Sequence, residues 1–117
     1  FDYCFPPTTT QEEVWAEAKH MAQSALDGYN VCIFAYGQTG SGKTYTMQGE
    51  EGNDGITPRM AHEVFKVCDK LKDTHTVSVR CYMVELYLET MNDLLLSTSN
   101  KADAPKLEIK QDASGIV

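Results

Sequence analysis

Eight consecutive residues, Gly37-Gln38-Thr39-Gly40-Ser41-Gly42-Lys43-Thr44, have the types and spacing of a loop that wraps phosphate. They match G-x-x-x-x-G-K-[ST] at every required position. Glycines reach backbone angles closed to other residues, so the loop can turn its N–H groups inward around phosphate oxygens. Lys43 supplies a mobile point charge for β- and γ-phosphates, and the Thr44 hydroxyl can ligate Mg2+. The chemistry these residues support is that of a nucleoside triphosphatase.

Such a loop works only when a strand and a helix hold it. Val31-Cys32-Ile33-Phe34-Ala35-Tyr36 is a continuous apolar run bounded by Asn30 and Gly37, which predicts a strand buried on both faces. Residues 44–48 can begin a helix, whose N-terminus adds positive potential toward an anion. An ordinary glycine-rich strand-to-helix turn is the competing reading. The strand in front and the three glycines within residues 37–42 favour the phosphate loop.

The remaining elements alternate. Residues 1–5 predict a short strand stopped by Pro6 and Pro7. Thr10 and Glu13 have capping-box spacing, and Glu12 and Glu13 suit the positive end of a helix dipole. Val14, Ala18, Met21, Ala22, Ala25 and Leu26 recur at helical spacing, with Trp15 widening the face. Together they predict a helix over 11–27, stopped by Gly28. Residues 50–55 read as an acidic loop. Thr57 and Pro58 predict the start of a second helix over 58–72, with Ala61, Val64, Phe65, Cys68 and Leu71 on its apolar face. Residues 77–88 are the longest strand candidate, and 91–96 suit a short turn or helix. Residues 97–105 read as an exposed loop. Leu107 and Ile109, between Lys106 and Lys110, predict a short strand, and 111–115 a turn. Strands alternating with helices mean an α/β fold with a central, mostly parallel β-sheet flanked by helices.

Composition is that of a globular protein, with 42% hydrophobic and 23% charged residues. No apolar run is long enough to span a bilayer. The first residues carry neither the basic start nor the apolar centre of a signal peptide, and no initiator Met, so the chain is expected to begin inside a longer polypeptide. The net charge is −7. Residues 1–58 hold eight acids against two lysines, and residues 59–117 nine acids against eight bases. That balance argues against nucleic acid or an acidic membrane as partner. Cys4, Cys32, Cys68 and Cys81 lack metal-ligand spacing, and their apolar surroundings suggest buried, reduced thiols in a cytosolic protein. His20, His62 and His75 stand alone and receive no role.

The flanks of the loop narrow the family. Residues 28–47, with Tyr36-Gly37-Gln38-Thr39 before the glycines and Thr46-Met47 after the lysine, closely resemble the phosphate-loop block of kinesin motor domains. Gly55-Ile56-Thr57-Pro58-Arg59, Glu85-Leu86-Tyr87-Leu88-Glu89 and Asn92-Asp93-Leu94-Leu95 are similar to further kinesin blocks, in the same order. The resemblance covers essentially the whole chain. Within the family, residues 7–14, 82–87 and 107–110 look most like C-terminal-motor kinesins of the calmodulin-binding type.

The resemblance implies an ATPase that moves along microtubules, cytoplasmic and cytoskeletal, with ATP/ADP and Mg2+ as ligands. Calmodulin regulation of the parent protein would follow from the finer likeness. Gly37, Gln38, Thr39, Gly40, Ser41, Gly42, Lys43 and Thr44 would surround the phosphates, with Lys43 and Thr44 in the catalytic roles and Thr44 on Mg2+. Tyr45 stands where kinesins often place an aromatic or histidine ring against adenine, the competing reading being that it packs on the first helical turn. Residues 85–89 and 93–95 would be structural. The N-x-x-S-S-R-S-H-type and D-x-x-G-type switch runs do not occur in residues 1–117, nor does the R-x-R-P run on the adenine side. The segment is therefore expected to be part of a motor domain, lacking the tubulin-contacting segments, and inactive and unstable alone. Two alternatives stand beside this reading: a non-motile microtubule tether, and another P-loop NTPase.

Overall fold

The computed structural model describes residues 1–97, 107–111 and 113, in two units, 1–77 and 78–117. In the first unit, the capping box at Thr10 forms as the sequence implies. The Glu13 N–H donates to Thr10 Oγ1 at 3.3 Å, and Glu13 Oε2 accepts from the Thr10 N–H at 2.7 Å. Helix α1 (Gln11–Ala18) follows, then α2 (His20–Leu26). The expected single helix over 11–27 is thus two, joined at Lys19. The Ala22 N–H donates to Lys19 O, three residues back, and this tighter turn interrupts the α-helical ladder. Gly28, at φ +97°, ends the run. The Tyr29 N–H reaches back to Ser24 O at 3.1 Å, closing a Schellman-type stop.

Helix α3 (Lys43–Met47) begins one residue before the expected start. The acidic loop expected at 50–55 is instead a tight hairpin of β1 (Gly49–Glu50) and β2 (Asn53–Asp54), antiparallel, with Gly49 opposite Asp54 and Glu50 opposite Asn53. Gly52, at φ +78°, lets the two-residue connection close.

Helix α4 (Ile56–Leu71) starts before the expected Pro58, with Gly55 rather than Thr57 as N-cap. Pro58 sits inside the first turn, where its missing N–H has no acceptor to lose. Helix α4 packs on α1 and α2. Ala18, Ala22 and Ile56 form the buried apolar centre of this unit, and small alanine side chains let the helices approach closely. Val14, Trp15, Met21, Leu26, Val64, Cys68 and Leu71 are half-buried around them. The expected face of α4 is rotated: Met60 and Val67 turn inward, while Ala61 and Phe65 are exposed.

Residues 31–36 form no strand, and neither do residues 1–5. Phe34 is 86% and Tyr36 94% exposed. A strand exists through its ladder, and a strand buried on both faces needs a neighbour on each side. Among the described residues of this unit, none pairs with 31–36. The same cause leaves Cys32 exposed; Cys4 and Cys81 are exposed too and Cys68 is half-buried, rather than buried as expected, and all four are free thiols.

The second unit is a hairpin of β3 (Val84–Tyr87) and β4 (Thr90–Asp93), antiparallel, with Val84 opposite Asp93 and Tyr87 opposite Thr90. Leu88 and Glu89 form its turn at φ +46° and +61°. That geometry follows the twist of the strands at the cost of placing two non-glycine residues in the left-handed region. The long strand expected over 77–88 is paired only from Val84 onward, and 90–93 is a strand where a turn or helix was expected. Leu94 extends the contact through its N–H to Met83 O at 2.8 Å. Leu107 to Lys110 form no strand. Residues 98–105 of the expected loop, and 112, 114 and 115 of the expected turn, lie outside the described residues. Both sheets among the described residues are two-stranded and antiparallel. The central parallel sheet therefore does not form within them, for want of its pairing strands. No helix among them is long and apolar enough to cross a membrane.

Candidate phosphate-binding site

The candidate phosphate loop lies wholly in the first unit and closes on itself. Lys43, the first residue of α3, folds its side chain back over the loop. Its Nζ donates to Gly37 O and to Gln38 O, each at 2.7 Å. The Ser41 N–H donates to Gln38 O at 3.2 Å and makes the intervening turn. Gly40 and Gly42 adopt φ of +81° and +88°, which glycine reaches without steric cost. Gly37, at φ +154°, is constrained in the same way and is crowded as well: a Cβ there would lie 2.5 Å from Ser41 Oγ.

Gly37 and Lys43 are half-buried, while Gln38, Thr39, Gly40, Ser41, Gly42 and Thr44 are exposed. Gly42 caps α3 through its backbone alone, with no side-chain oxygen bonded to the first turn. Those leading N–H groups are thus left free of a side-chain competitor for an anion. Thr44 presents its hydroxyl one residue beyond Lys43. Among the described residues no group of three or more His, Cys, Asp or Glu could hold a metal ion. A cation held by Thr44 together with phosphate oxygens and water suits Mg2+, which keeps much of its hydration.

The far end of α3 is anchored by residues that spacing did not single out for this site. Gln11, buried at the start of α1, donates from Nε2 to Tyr45 O at 2.6 Å. Asn53 on β2 donates from Nδ2 to the Tyr45 hydroxyl at 3.0 Å. Arg59 on α4 donates from Nε to Asp54 O at 2.7 Å and from Nη2 to Glu12 Oε1 at 2.6 Å. The hydrogen bond from Arg59, then one from the backbone, holds the Glu12 carboxyl below the usual glutamate value. Gly49 and Gly55 complete the anchor by backbone packing. The Gly55 N–H donates to Gln48 O at 3.1 Å, and a Cβ on Gly55 would lie 2.6 Å from Thr46 O. Sequence spacing gave Glu12 a role in the helix dipole and placed Arg59 in a family block, but nothing in it joins residues 47 positions apart.

The glycine turn, the lysine folded over it and the helix beyond have the form of a candidate phosphate loop, although no strand leads into it among the described residues. Residues 1–117 match the family model described as the kinesin motor domain. Kinesin-like protein KIN-14I of Oryza sativa subsp. japonica is 52% identical over 117 residues, 100% of this chain and 9% of that protein. Human kinesin-like protein KIFC1 is 46% identical over 120 residues, covering 98% of this chain and 18% of that protein. A crystal structure of kinesin mutants superposes with a TM-score of 0.75 at 38% identity, covering all of this chain and 35% of that one. The Drosophila kinesin family member NOD, crystallised with AMPPNP, superposes with a TM-score of 0.72 at 32% identity, over 84% of this chain and 36% of that one. This chain belongs to the kinesin motor domain family and shares its P-loop NTPase fold. It spans 9% of the length of the rice relative and about a third of the solved motor domains.

Proposed function

We propose that this chain is the ATP-binding part of a microtubule-based motor, in which hydrolysis of ATP drives movement along microtubules. The observation that carries the reading is the Lys43 ammonium held over the phosphate loop by Gly37 O and Gln38 O. Two backbone carbonyls hold the ammonium there, over the loop. Gly37, Gln38, Thr39, Gly40, Ser41 and Gly42 turn their backbone around the phosphates. Lys43 neutralises the β- and γ-oxygens, and Thr44 places its hydroxyl on Mg2+. The Tyr45 ring, 45% exposed immediately after Thr44, stacks on the base.

Residues 1–117 supply this one side of the reaction. The switch runs that meet the γ-phosphate do not occur in them, so the segment by itself turns nothing over. Two kinesin relatives, NOD and KIF14, have been seen with tubulin or a microtubule. Membership of the family supports the same partner, and a cytoplasmic location on the cytoskeleton, for this protein. The finer likeness of residues 7–14, 82–87 and 107–110 to calmodulin-binding kinesins extends the reading to calmodulin. Retention of the full-length protein on calmodulin resin with calcium, and its release with chelator, is the outcome that supports it.

The deciding experiment is ATP turnover by the full motor domain, with and without polymerised microtubules. Strong activation by microtubules, lost in Lys43→Ala, supports the motor. Binding to microtubules without turnover favours a tether, and turnover indifferent to microtubules favours a different P-loop enzyme.

A further inference from the structure

Tyr45 is held at both of its ends. Its carbonyl oxygen accepts from Gln11 Nε2 at 2.6 Å, and its hydroxyl accepts from Asn53 Nδ2 at 3.0 Å. The two donors come from different elements, α1 and β2. The residues beside them, Glu12 and Asp54, are joined in turn by Arg59, which bonds the carboxylate of one and the backbone carbonyl of the other. Two adjacent pairs, Gln11-Glu12 and Asn53-Asp54, therefore close on Tyr45 and Arg59.

Each bond has a separate consequence. Helix α3 has only five residues, so its last carbonyls lack N–H partners within it. Gln11, only 4% exposed, supplies a donor to one of them. That fixes the Tyr45 backbone. The Asn53 bond then limits rotation of the ring about its side-chain torsions, although much of the ring is open to solvent. An exposed aromatic ring normally samples several rotamers, and ordering it costs free energy at the moment of binding. A ring already held in one orientation avoids that cost.

We propose that Asn53 and Gln11 are positioning residues for base recognition, presetting the Tyr45 ring for a purine. The inference rests on the reading of Tyr45 as the base-stacking residue. Its signature is selective: affinity for a nucleotide depends on the clamp, whereas affinity for a bare polyphosphate does not.

The test uses the full motor domain and two ligands, ATP and inorganic tripolyphosphate, each with Mg2+. Asn53→Ala and Tyr45→Phe each remove the outer bond while leaving the loop and the buried Gln11 contact in place. Each is expected to weaken ATP binding about fivefold, the net worth of a neutral hydrogen bond, with tripolyphosphate affinity unchanged. The double variant is expected to be no weaker than either single one, because both lose the same bond. Equal losses for ATP and tripolyphosphate, additive losses in the double variant, or no loss at all would overturn the clamp. Tyr45→Ala separates the two levels of the argument. If it leaves ATP affinity unchanged, the stacking role of Tyr45 fails and the clamp with it. If it weakens ATP while Asn53→Ala and Tyr45→Phe do not, the stacking stands and the clamp alone is wrong.

Discussion

The ammonium of Lys43 donates to the carbonyl oxygen of Gly37 across 2.7 Å, joining the first residue of α3 to the first residue of the loop that precedes it. A second bond of the same length reaches Gln38 O. The lysine is thereby held over the loop by two uncharged acceptors. Phosphate oxygens carry negative charge, and a hydrogen bond from an ammonium to them is stronger.

Lys43→Ala removes both the stored contacts and the charge. Nucleotide affinity of the full motor domain is expected to fall by about a hundredfold or more, from the loss of one or two charge-assisted hydrogen bonds. Helix content should stay close to that of the parent. Titration with a fluorescent ATP analogue, alongside circular dichroism, checks both halves. An unchanged affinity in a folded variant would remove Lys43 from the site.

Gly37 and Gly42 both sit at positive φ, +154° and +88°, but only Gly37 is crowded as well, and substitutions can separate the two effects. At Gly37 a Cβ meets Ser41 Oγ at 2.5 Å and Ser41 Cβ at 3.2 Å. At Gly42 a Cβ meets nothing within 4 Å, but the backbone sits at φ +88°. Gly37→Ala should therefore be rescued in part by Ser41→Gly, which removes the obstructing side chain. Gly42→Ala should cost about 1–2 kcal/mol through its left-handed backbone, and no trimming of a neighbour should restore it. ATP affinity and thermal stability of the single and double variants decide the point.

The site was far more legible in the sequence than the sheet that frames it. The phosphate loop is local: its glycines, its lysine and the helix that follows all lie within residues 37–47, and the structure brings them together. The capping box at Thr10 and the stop at Gly28 were legible for the same reason, because each is made by bonds between residues a few positions apart. Residues 31–36 show the limit. Their apolar run states that both faces can be buried, but the strands that would bury them are a matter of long-range pairing. The hairpin at residues 49–54 was hidden by its acidic composition, which outweighed the signal of Gly49 and Gly52. Gln11, Asn53 and Arg59 were missed because their partners lie on other elements.

Gly55 joins the hairpin to α4 with no room for a side chain. A Cβ there would lie 2.6 Å from Thr46 O and 2.7 Å from Gly49 N, and both are backbone atoms that cannot swing aside. Gly55→Ala should destabilise the motor domain by about 1–3 kcal/mol, the usual cost of overpacking. It should also weaken ATP binding, because the displaced backbone is the end of α3. Gly28→Ala is the useful contrast: a Cβ there meets nothing within 4 Å, and its left-handed cost falls at the end of α2 rather than at α3. Denaturant unfolding is expected to show a loss for both, and nucleotide titration a loss for Gly55→Ala alone.

The ion pair between Glu12 and Arg59 makes stability depend on pH in a definite direction. The Arg59 hydrogen bond, and after it a backbone hydrogen bond, lower the folded-state pKa of Glu12; desolvation opposes them less strongly, and the Arg59 charge adds a still smaller lowering. A carboxyl with a lowered folded pKa binds fewer protons folded than unfolded, so stability rises with pH between the two values. The contribution is complete above the unfolded glutamate value, about 4.3, and is lost as the pH falls through the lowered folded value. Glu12→Gln keeps the shape and an acceptor oxygen but removes the charge. It should lower the melting temperature at neutral pH, and the difference from the parent should close in acid. Because the Glu12 side chain is 66% exposed, the difference at neutral pH should also shrink in molar salt. Melting curves across pH at low and high ionic strength test this directly. A gap between parent and variant that persists unchanged below the folded pKa would show that Glu12 acts through packing rather than charge.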